Sequence, residues 1–372
     1  MLIFAKAAYE SGRYFGLSYD EMIVYGTIGM ILFGATAPVA GYLSDKYGRM
    51  PLMIGYHFGI GLSAIFAGLS TSILHLTLSL AFLGMFASIY HPVGIAMLLQ
   101  RPGVVGLRMG INGVWGNMGI AVAPICTGIL LYYGDWHTAF IIPGVICILY
   151  GIFFLLNIDS NKVLDNPKDE KNKANIFAPN WKQALFALAL TTASGGFIFG
   201  AMSFLLPRYF ELHLNDLSTN VATTGLLAGI VYACASFTQV LVGWLIDRVS
   251  PRLVLFWIGI GQIIFIYLAS QFENLALFFI AIGAMSFVFG QIPITDTILV
   301  RYIPDNWRSR ILSAKFLLNL VIAASVLPIS SWLLQNGFKL QSIFFFASVI
   351  AIGVLLSAIF LPKQNQIIDN DI

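Results

Sequence analysis

Long apolar runs separated by short polar turns dominate the chain. Each run is about 20 residues long, which is what a helix needs to cross the ~30 Å hydrocarbon core of a bilayer. We count eleven complete runs, at residues 22–43, 52–70, 76–99, 109–133, 138–157, 183–207, 222–245, 252–270, 275–299, 311–334 and 341–361. The pattern predicts an all-α integral membrane protein.

One polar stretch is much longer than the other turns and divides the chain. Residues 159–182 are rich in lysine and acidic side chains, as expected of a solvated linker. The predicted organisation is an N-terminal half at residues 1–158, a linker at 159–181, a C-terminal half at 182–362 and a tail at 363–372.

Composition and charge exclude other classes of protein. Of the 372 residues, 58% are hydrophobic and 10% are charged, and the net charge is only +3, so neither a water-soluble domain nor a nucleic-acid-binding surface is expected. If the linker is cytoplasmic, most lysines and arginines share its side, and those facing outward are Lys6, Arg13, Arg208 and Lys339. This bias predicts a multi-pass protein of the cell membrane with its C-terminus in the cytoplasm.

The two halves repeat each other. The recurring pairs are Gly41 and Gly243, Leu43 and Leu245, Asp45 and Asp247, Pro92 and Pro293, and Asn117 and Asn319. Their offset stays near about 200 residues, and such a parallel repeat is a transporter architecture with its substrate site near the midplane between the halves.

The repeat also predicts that one helix is incomplete. The seventh helix starts near Trp181, so its first-half counterpart should start about 20 residues before Met1. Residues 1–5 would then be only the outer end of helix 1. We expect either a misassigned start codon or a truncated gene, and the alternative is a genuine eleven-helix protein with its N-terminus outside.

A polar turn follows the first complete span and reads Gly-Tyr-Leu-Ser-Asp-Lys-Tyr-Gly-Arg over residues 41–49. Gly48 would permit a tight reversal, and Asp45 would pair with a neighbouring cation or face a helix N-terminus. A degraded second copy begins at Gly243. We assign these turns to a cytoplasmic gate formed by Gly41, Asp45, Lys46, Gly48, Arg49, Gly243, Asp247, Arg248 and Arg252.

The turn resembles the signature loop of the major facilitator superfamily. The resemblance implies two six-helix halves, here eleven full helices plus a helix-1 stub, that work by alternating access. The segments at residues 88–94 and 116–119 are similar to those of fosmidomycin-resistance-type exporters, which implies proton-coupled export of a small organic molecule or drug by an antiporter. The alternatives are symport uptake of a small organic anion or nutrient, and a non-transporting protein or inactive remnant that lacks helix 1.

Two ionisable residues lie at membrane depth, where such groups are costly and indicate function. His91 is ten residues from Arg101 and therefore near the midplane; it either exchanges a proton or is a neutral residue hydrogen-bonded to another helix. Asp296 is shallower, which favours a salt-bridge gate with Arg301 or Arg308 over a proton or cation site.

Polar residues at matching depth complete the predicted substrate and proton pathway. The full set of candidates is Tyr90, His91, Asn112, Trp115, Asn117, Thr192, Ser194, Gln291, Thr295, Asp296 and Asn319. The symmetric pair Asn117 and Asn319 is favoured, because equivalent positions in two halves face one axis.

Catalytic motifs do not occur in the sequence. There is no phosphate-binding glycine loop, no cysteine and histidine spacing for a metal, and no nucleophile elbow. We expect no enzyme activity, no cofactor and no metal. The expected partners are a small-molecule substrate, protons and the lipid bilayer, with the chain acting as a monomer.

Overall fold

The computed structural model describes residues 1–95, 97, 105–157, 177–217 and 220–362, and these are almost entirely helical. The first half contains α1 (Leu2–Phe15), α2 (Tyr19–Ile23), α3 (Thr27–Ala35), α4 (Ala37–Tyr47), α5 (Arg49–Gly68), α6 (Ile73–Ala87), α7 (Val105–Tyr133) and α8 (Trp136–Asn157). The second half contains α9 (Trp181–His213), α10 (Val221–Ile246), α11 (Pro251–Ala269), α12 (Asn274–Tyr302), α13 (Asp305–Gln335) and α14 (Leu340–Phe360).

The predicted number of spans is confirmed for the described residues. Ten helices are long and apolar enough to cross a membrane, and the bent pair Tyr19–Ala35 and Ala37–Tyr47 brings the number to 11. Of the predicted linker, residues 159–176 lie outside the described part of the chain, as does the tail at 363–372.

The first helix is longer than the sequence indicates. The predicted stub ended at residue 5, whereas α1 continues to Phe15 and stops at Gly16, which has a φ of 71°. Residues 6–15 are too polar to count as part of an apolar span, and the charge of Lys6 is paired with a residue of another helix. Gly16 then supplies the left-handed conformation that ends it.

Successive spans alternate in direction, so the turns fall at two ends of the bundle. The motif end carries the turns at Gly48 and Ser250, and the Gly16 end carries the turns at Gly16 and Gly337. Both polar motifs therefore lie at the same end, as the repeat predicts.

Several helix pairs among the described residues join the two halves. α1 contacts α9, α3 contacts α13, and α7 contacts α10. Small residues allow close approach: Gly34 faces Leu320 of α13, and Gly128 faces Val221 of α10. At the Gly16 end, the rings of Phe4 and Phe204 lie 6.2 Å apart.

A bend separates α3 from α4. The two segments meet at 43°, next to Pro38, whose ring and missing N–H interrupt helical hydrogen bonding. Thr36 Oγ1 donates to the Leu32 carbonyl at 2.7 Å and lies 2.8 Å from Ser88 Oγ. Beyond the bend, α4 packs on α5 and on the Tyr90–Gly94 segment of its own half.

Candidate functional site

His91 lies where the two halves meet. The backbone widens to a π-helical turn over Tyr90–Gly94, because Pro92 has no N–H to donate into the preceding turn. The imidazole lies between Phe33 of the first half and Phe316 of the second, each with a ring-centroid distance of 5.6 Å. The described residues give it no hydrogen bond, so the predicted bond to a neighbouring helix is not observed among them.

Tyr90 and Asn112 form a polar contact within the first half. Tyr90 Oη donates to Asn112 Oδ1 at 2.6 Å, and the Tyr90 ring packs 5.7 Å from that of Tyr56. Trp115, one helical turn from Asn112, is 71% exposed. The structure thus joins two of the predicted pathway residues and leaves Trp115 on an open surface of α7.

Three further candidate residues are buried or half-buried on α7, α9 and α13. Asn117 Nδ2 and Thr192 Oγ1 are buried and have no hydrogen-bond partner among the described residues. Asn319 faces Gly196 on α9, where a Cβ would lie 3.0 Å from Asn319 Oδ1. Buried polar atoms normally have a partner, so Asn117 Nδ2 and Thr192 Oγ1 are among the buried groups that water or a substrate could bind.

Other predicted pathway residues are engaged inside the second half. Gln291 Nε2 donates to the Thr191 carbonyl at 2.8 Å, and Gln291 Oε1 accepts from Gln262 at 2.8 Å. Thr295 donates to the Ile292 carbonyl of its own helix at 2.8 Å, and Ser194 is buried against Gly353. These contacts connect α9, α11, α12 and α14.

Asp296 has a different partner from those that the sequence suggested. Lys315 Nζ donates to Asp296 Oδ1 at 2.5 Å, and the two side chains are 10% and 54% exposed, respectively. Arg301 donates to the Ile246 carbonyl at 3.2 Å, and the side chain of Arg308 is outside the described part. The pair joins α12 to α13, which spacing within α12 alone could not predict.

The first copy of the gate motif is open to solvent. Gly48 has a φ of 89° and makes the reversal between α4 and α5, as predicted. Asp45 and Lys46 are exposed, and within the described residues Asp45 forms no ion pair, so the predicted pairing with Lys46 or Arg49 is not observed there. Gly41 lies near Pro92, and Arg49 Nη1 is buried without a described partner.

The second copy is similarly exposed. Asp247 and Arg248 are exposed, and Arg248 donates to the Trp244 carbonyl at 2.9 Å with its guanidinium 4.2 Å from the Trp244 ring. Gly243 has open space beside it. Arg252 lines a cavity of about 210 Å³ between the ends of α11, α12 and α14.

A charged cluster that sequence reasoning missed closes the Gly16 end. Lys6 Nζ of α1 donates to Glu211 Oε1 of α9 at 2.5 Å and to Thr224 Oγ1 of α10 at 2.7 Å. Arg208 donates to the other carboxylate oxygen at 2.8 Å, and its guanidinium lies 3.7 Å from the Tyr9 ring. The charge pattern of the sequence did predict that Lys6 and Arg208 lie on the same side of the membrane. Glu211, one helical turn after Arg208, could have indicated an ion pair with these cations.

The family is decided by comparison with known proteins. The model of the Major Facilitator Superfamily matches residues 1–218 and 210–367. The chain belongs to the major facilitator superfamily. Membership of this family and the ten to 11 apolar spans among the described residues make it a multi-pass membrane protein.

Relatives in the superfamily differ in what their names describe. A "Probable hexose phosphate transport protein" of Chlamydia muridarum is 27% identical over 281 residues, which cover 66% of this chain and 61% of that protein. The "Multidrug resistance protein MdtG" of Proteus mirabilis is 24% identical over 294 residues, covering 76% of this chain and 71% of that protein. The chain thus spans about three fifths of the length of the first relative.

Solved superfamily structures share the fold. A bacterial homologue of the human lysosomal transporter Spinster, in an inward-facing and occupied conformation, matches with a TM-score of 0.71 and 17% identity over 97% of this chain and 90% of the other. The nucleoside transporter NupG, as its D323A mutant, matches with a TM-score of 0.74 and 11% identity over 97% and 96%.

Proposed function

We propose that this superfamily member exports small organic molecules in exchange for protons by alternating access. The observation that carries the proposal is the position of His91, whose imidazole touches an aromatic ring from each half. Histidine changes its charge between about pH 5 and 8, and a group in contact with both halves senses their relative movement.

The contacts between the halves support the alternating-access part of the proposal. A charged cluster joins the halves at the Gly16 end, while past the bend α4 packs within its own half and the gate residue Asp45 is exposed. A buried ion pair between the halves is what a state closed at the Gly16 end requires.

The pathway surface supports an organic substrate. Phe33 and Phe316 supply flat apolar faces beside His91. Small-molecule sites are mostly apolar and contain a few polar groups, and these rings with the imidazole have that composition. The multidrug resistance relatives favour export of such compounds.

Uptake of a phosphorylated sugar or another small organic anion by symport is the second candidate. It is favoured by the names of the chlamydial relatives. We further propose that the protein works as a monomer in the cell membrane, with its motif end and C-terminus in the cytoplasm, because the basic turns lie at that end.

Growth of an efflux-deficient host on a panel of antibiotics, including fosmidomycin and puromycin, tests the proposal. We expect resistance from the wild type, loss of resistance in His91→Gln, and wild-type resistance in His75→Gln, a matched control at the start of the same helix. Membrane amounts are measured by immunoblot, and a protonophore should abolish the export of a selected compound.

Other results would contradict the proposal or favour one of the alternative functions. Resistance that His91→Gln leaves unchanged would refute the role of His91. No resistance, together with accumulation of radiolabelled hexose phosphate by intact cells, would favour the uptake candidate. Neither activity from protein that is present in the membrane would favour a non-transporting protein.

A further inference from the structure

The charged cluster at the Gly16 end holds a buried lysine between the halves. The Lys6 side chain is 0% exposed, and its ammonium contacts Glu211 and Thr224, both of which belong to the second half. Glu211 and Arg208 are 14% and 15% exposed. Lys6 therefore takes its hydrogen-bonded counter-charge from a residue of the other half, while Glu10 of α1 adds a weaker attraction at longer range.

The cluster is not symmetric. Glu211 has two cations, because Arg208 binds its second oxygen at 2.8 Å, and this pair lies entirely within α9. Lys6 has one described carboxylate partner, since its other contact is the Thr224 hydroxyl. Removing one partner of a buried pair is costly only when it leaves the other charge uncompensated. Loss of Glu211 leaves the buried Lys6 charge without its ion-pair partner, whereas loss of Lys6 leaves Glu211 paired with Arg208.

We infer that Glu211 is the positioning residue that permits closure of the Gly16 end, by neutralising Lys6 when the halves meet. When that end opens, Lys6 is separated from Glu211 and regains hydration, while Glu211 keeps Arg208. The Lys6 charge thus opposes closure and the Glu211 charge removes that opposition. This inference rests on the alternating access proposed above, but not on any substrate or coupling ion.

Spin-label distances across the Gly16 end test the inference. Thr71 and Gln271 are exposed, lie in turns of opposite halves at this end, and are replaced by labelled cysteines after Cys126, Cys147 and Cys234 are changed to serine. The variants are Glu211→Gln, Lys6→Met and the double variant. The control is Glu10→Gln, which removes the exposed carboxylate that pairs with Arg13 on the same helix.

The expected pattern distinguishes charge neutralisation from simple packing. Glu211→Gln should favour the open Gly16 end. The population with a long distance between the two labels should increase about tenfold relative to the population with a short distance, which corresponds to ~1.4 kcal/mol. Lys6→Met should have the same ratio as the unmodified chain, and so should the double variant, since neither contains an unpaired lysine. Glu10→Gln should change the ratio less than Glu211→Gln, because Glu10 has no hydrogen bond to Lys6 and the weakest attraction to it. No substrate is needed, so a failed transport assay would leave this result intact.

Two results would overturn the inference. One is an unchanged distribution in Glu211→Gln, and the other is a double variant as shifted as Glu211→Gln alone. If Glu211→Gln does not accumulate in the membrane, recovery of the double variant at wild-type amounts supports the same neutralising role. If neither Glu211→Gln nor the double variant accumulates in the membrane, the neutralising role of Glu211 is contradicted.

Discussion

Substitution of Gly128 tests whether the contact between α7 and α10 separates during transport. Gly128 lies in α7 against the start of α10, where an added Cβ would be 2.8 Å from the Val221 carbonyl oxygen and 3.2 Å from the Ala222 Cα. Both neighbours are backbone atoms, which cannot rotate away. Gly128→Ala therefore requires the two helices to move apart.

The magnitude follows from the cost of overpacking, which is about 1–3 kcal/mol. The clash exists only while the Gly16 end is closed, so it should shift the equilibrium toward the open state by about five- to 150-fold. Alanine also favours a helix over glycine by about 1 kcal/mol. Gly119→Ala, in the same helix with nothing within 4 Å of an added Cβ, carries that gain without the clash.

Distances between labels at positions 71 and 271 provide the assay for this comparison. We expect more of the long-distance population in Gly128→Ala than in Gly119→Ala, with transport changed only in the former. Identical distributions in the two variants would refute the reasoning, because they would show that α7 and α10 do not separate at this end.

Two further predictions concern polar contacts within the second half. Gln291→Leu removes the buried bonds to Thr191 and Gln262 and should cost about 1–3 kcal/mol, seen as a lower midpoint of thermal unfolding in detergent. The control Gln183→Leu removes one solvent-exposed bond, to the Phe360 carbonyl, and should lower the midpoint less. Equal effects would contradict the role of the buried network. Asp296→Asn leaves the charge of Lys315 unpaired on a side chain that is 10% exposed, whereas Lys315→Met leaves the unpaired charge on a carboxylate that is 54% exposed. The first should therefore lower the unfolding midpoint more than the second, and the reverse order would be inconsistent with the pairing.

The spans and the motif turns could be predicted from the sequence because lipid imposes them. A backbone in hydrocarbon must satisfy its own hydrogen bonds, so apolar length alone predicted 11 crossings, including the bent one. The reversal at Gly48 was predictable for a local reason, since its φ of 89° is one that glycine adopts readily.

Contacts between distant helices could not be predicted in the same way. Lys6 and Glu211 are 205 residues apart in the chain, and no spacing rule connects them. Depth along a helix was estimated for His91, but depth does not say which side chains surround it, and these are Phe33 and Phe316. For Asp296, nearness in sequence suggested Arg301 or Arg308, while the described partner is Lys315, further along α13.

The bend at Thr36 divides one membrane span into two mechanical units. Substitutions in α3 act on the contact with α13, near Gly34 and Leu320, whereas substitutions in α4 act inside the first half. Second-site suppressor mutations should therefore fall in different places for defects in α3 and in α4. A defect in α3 should be corrected by changes in the second half, and a defect in α4 by changes in α5 or the Tyr90–Gly94 segment.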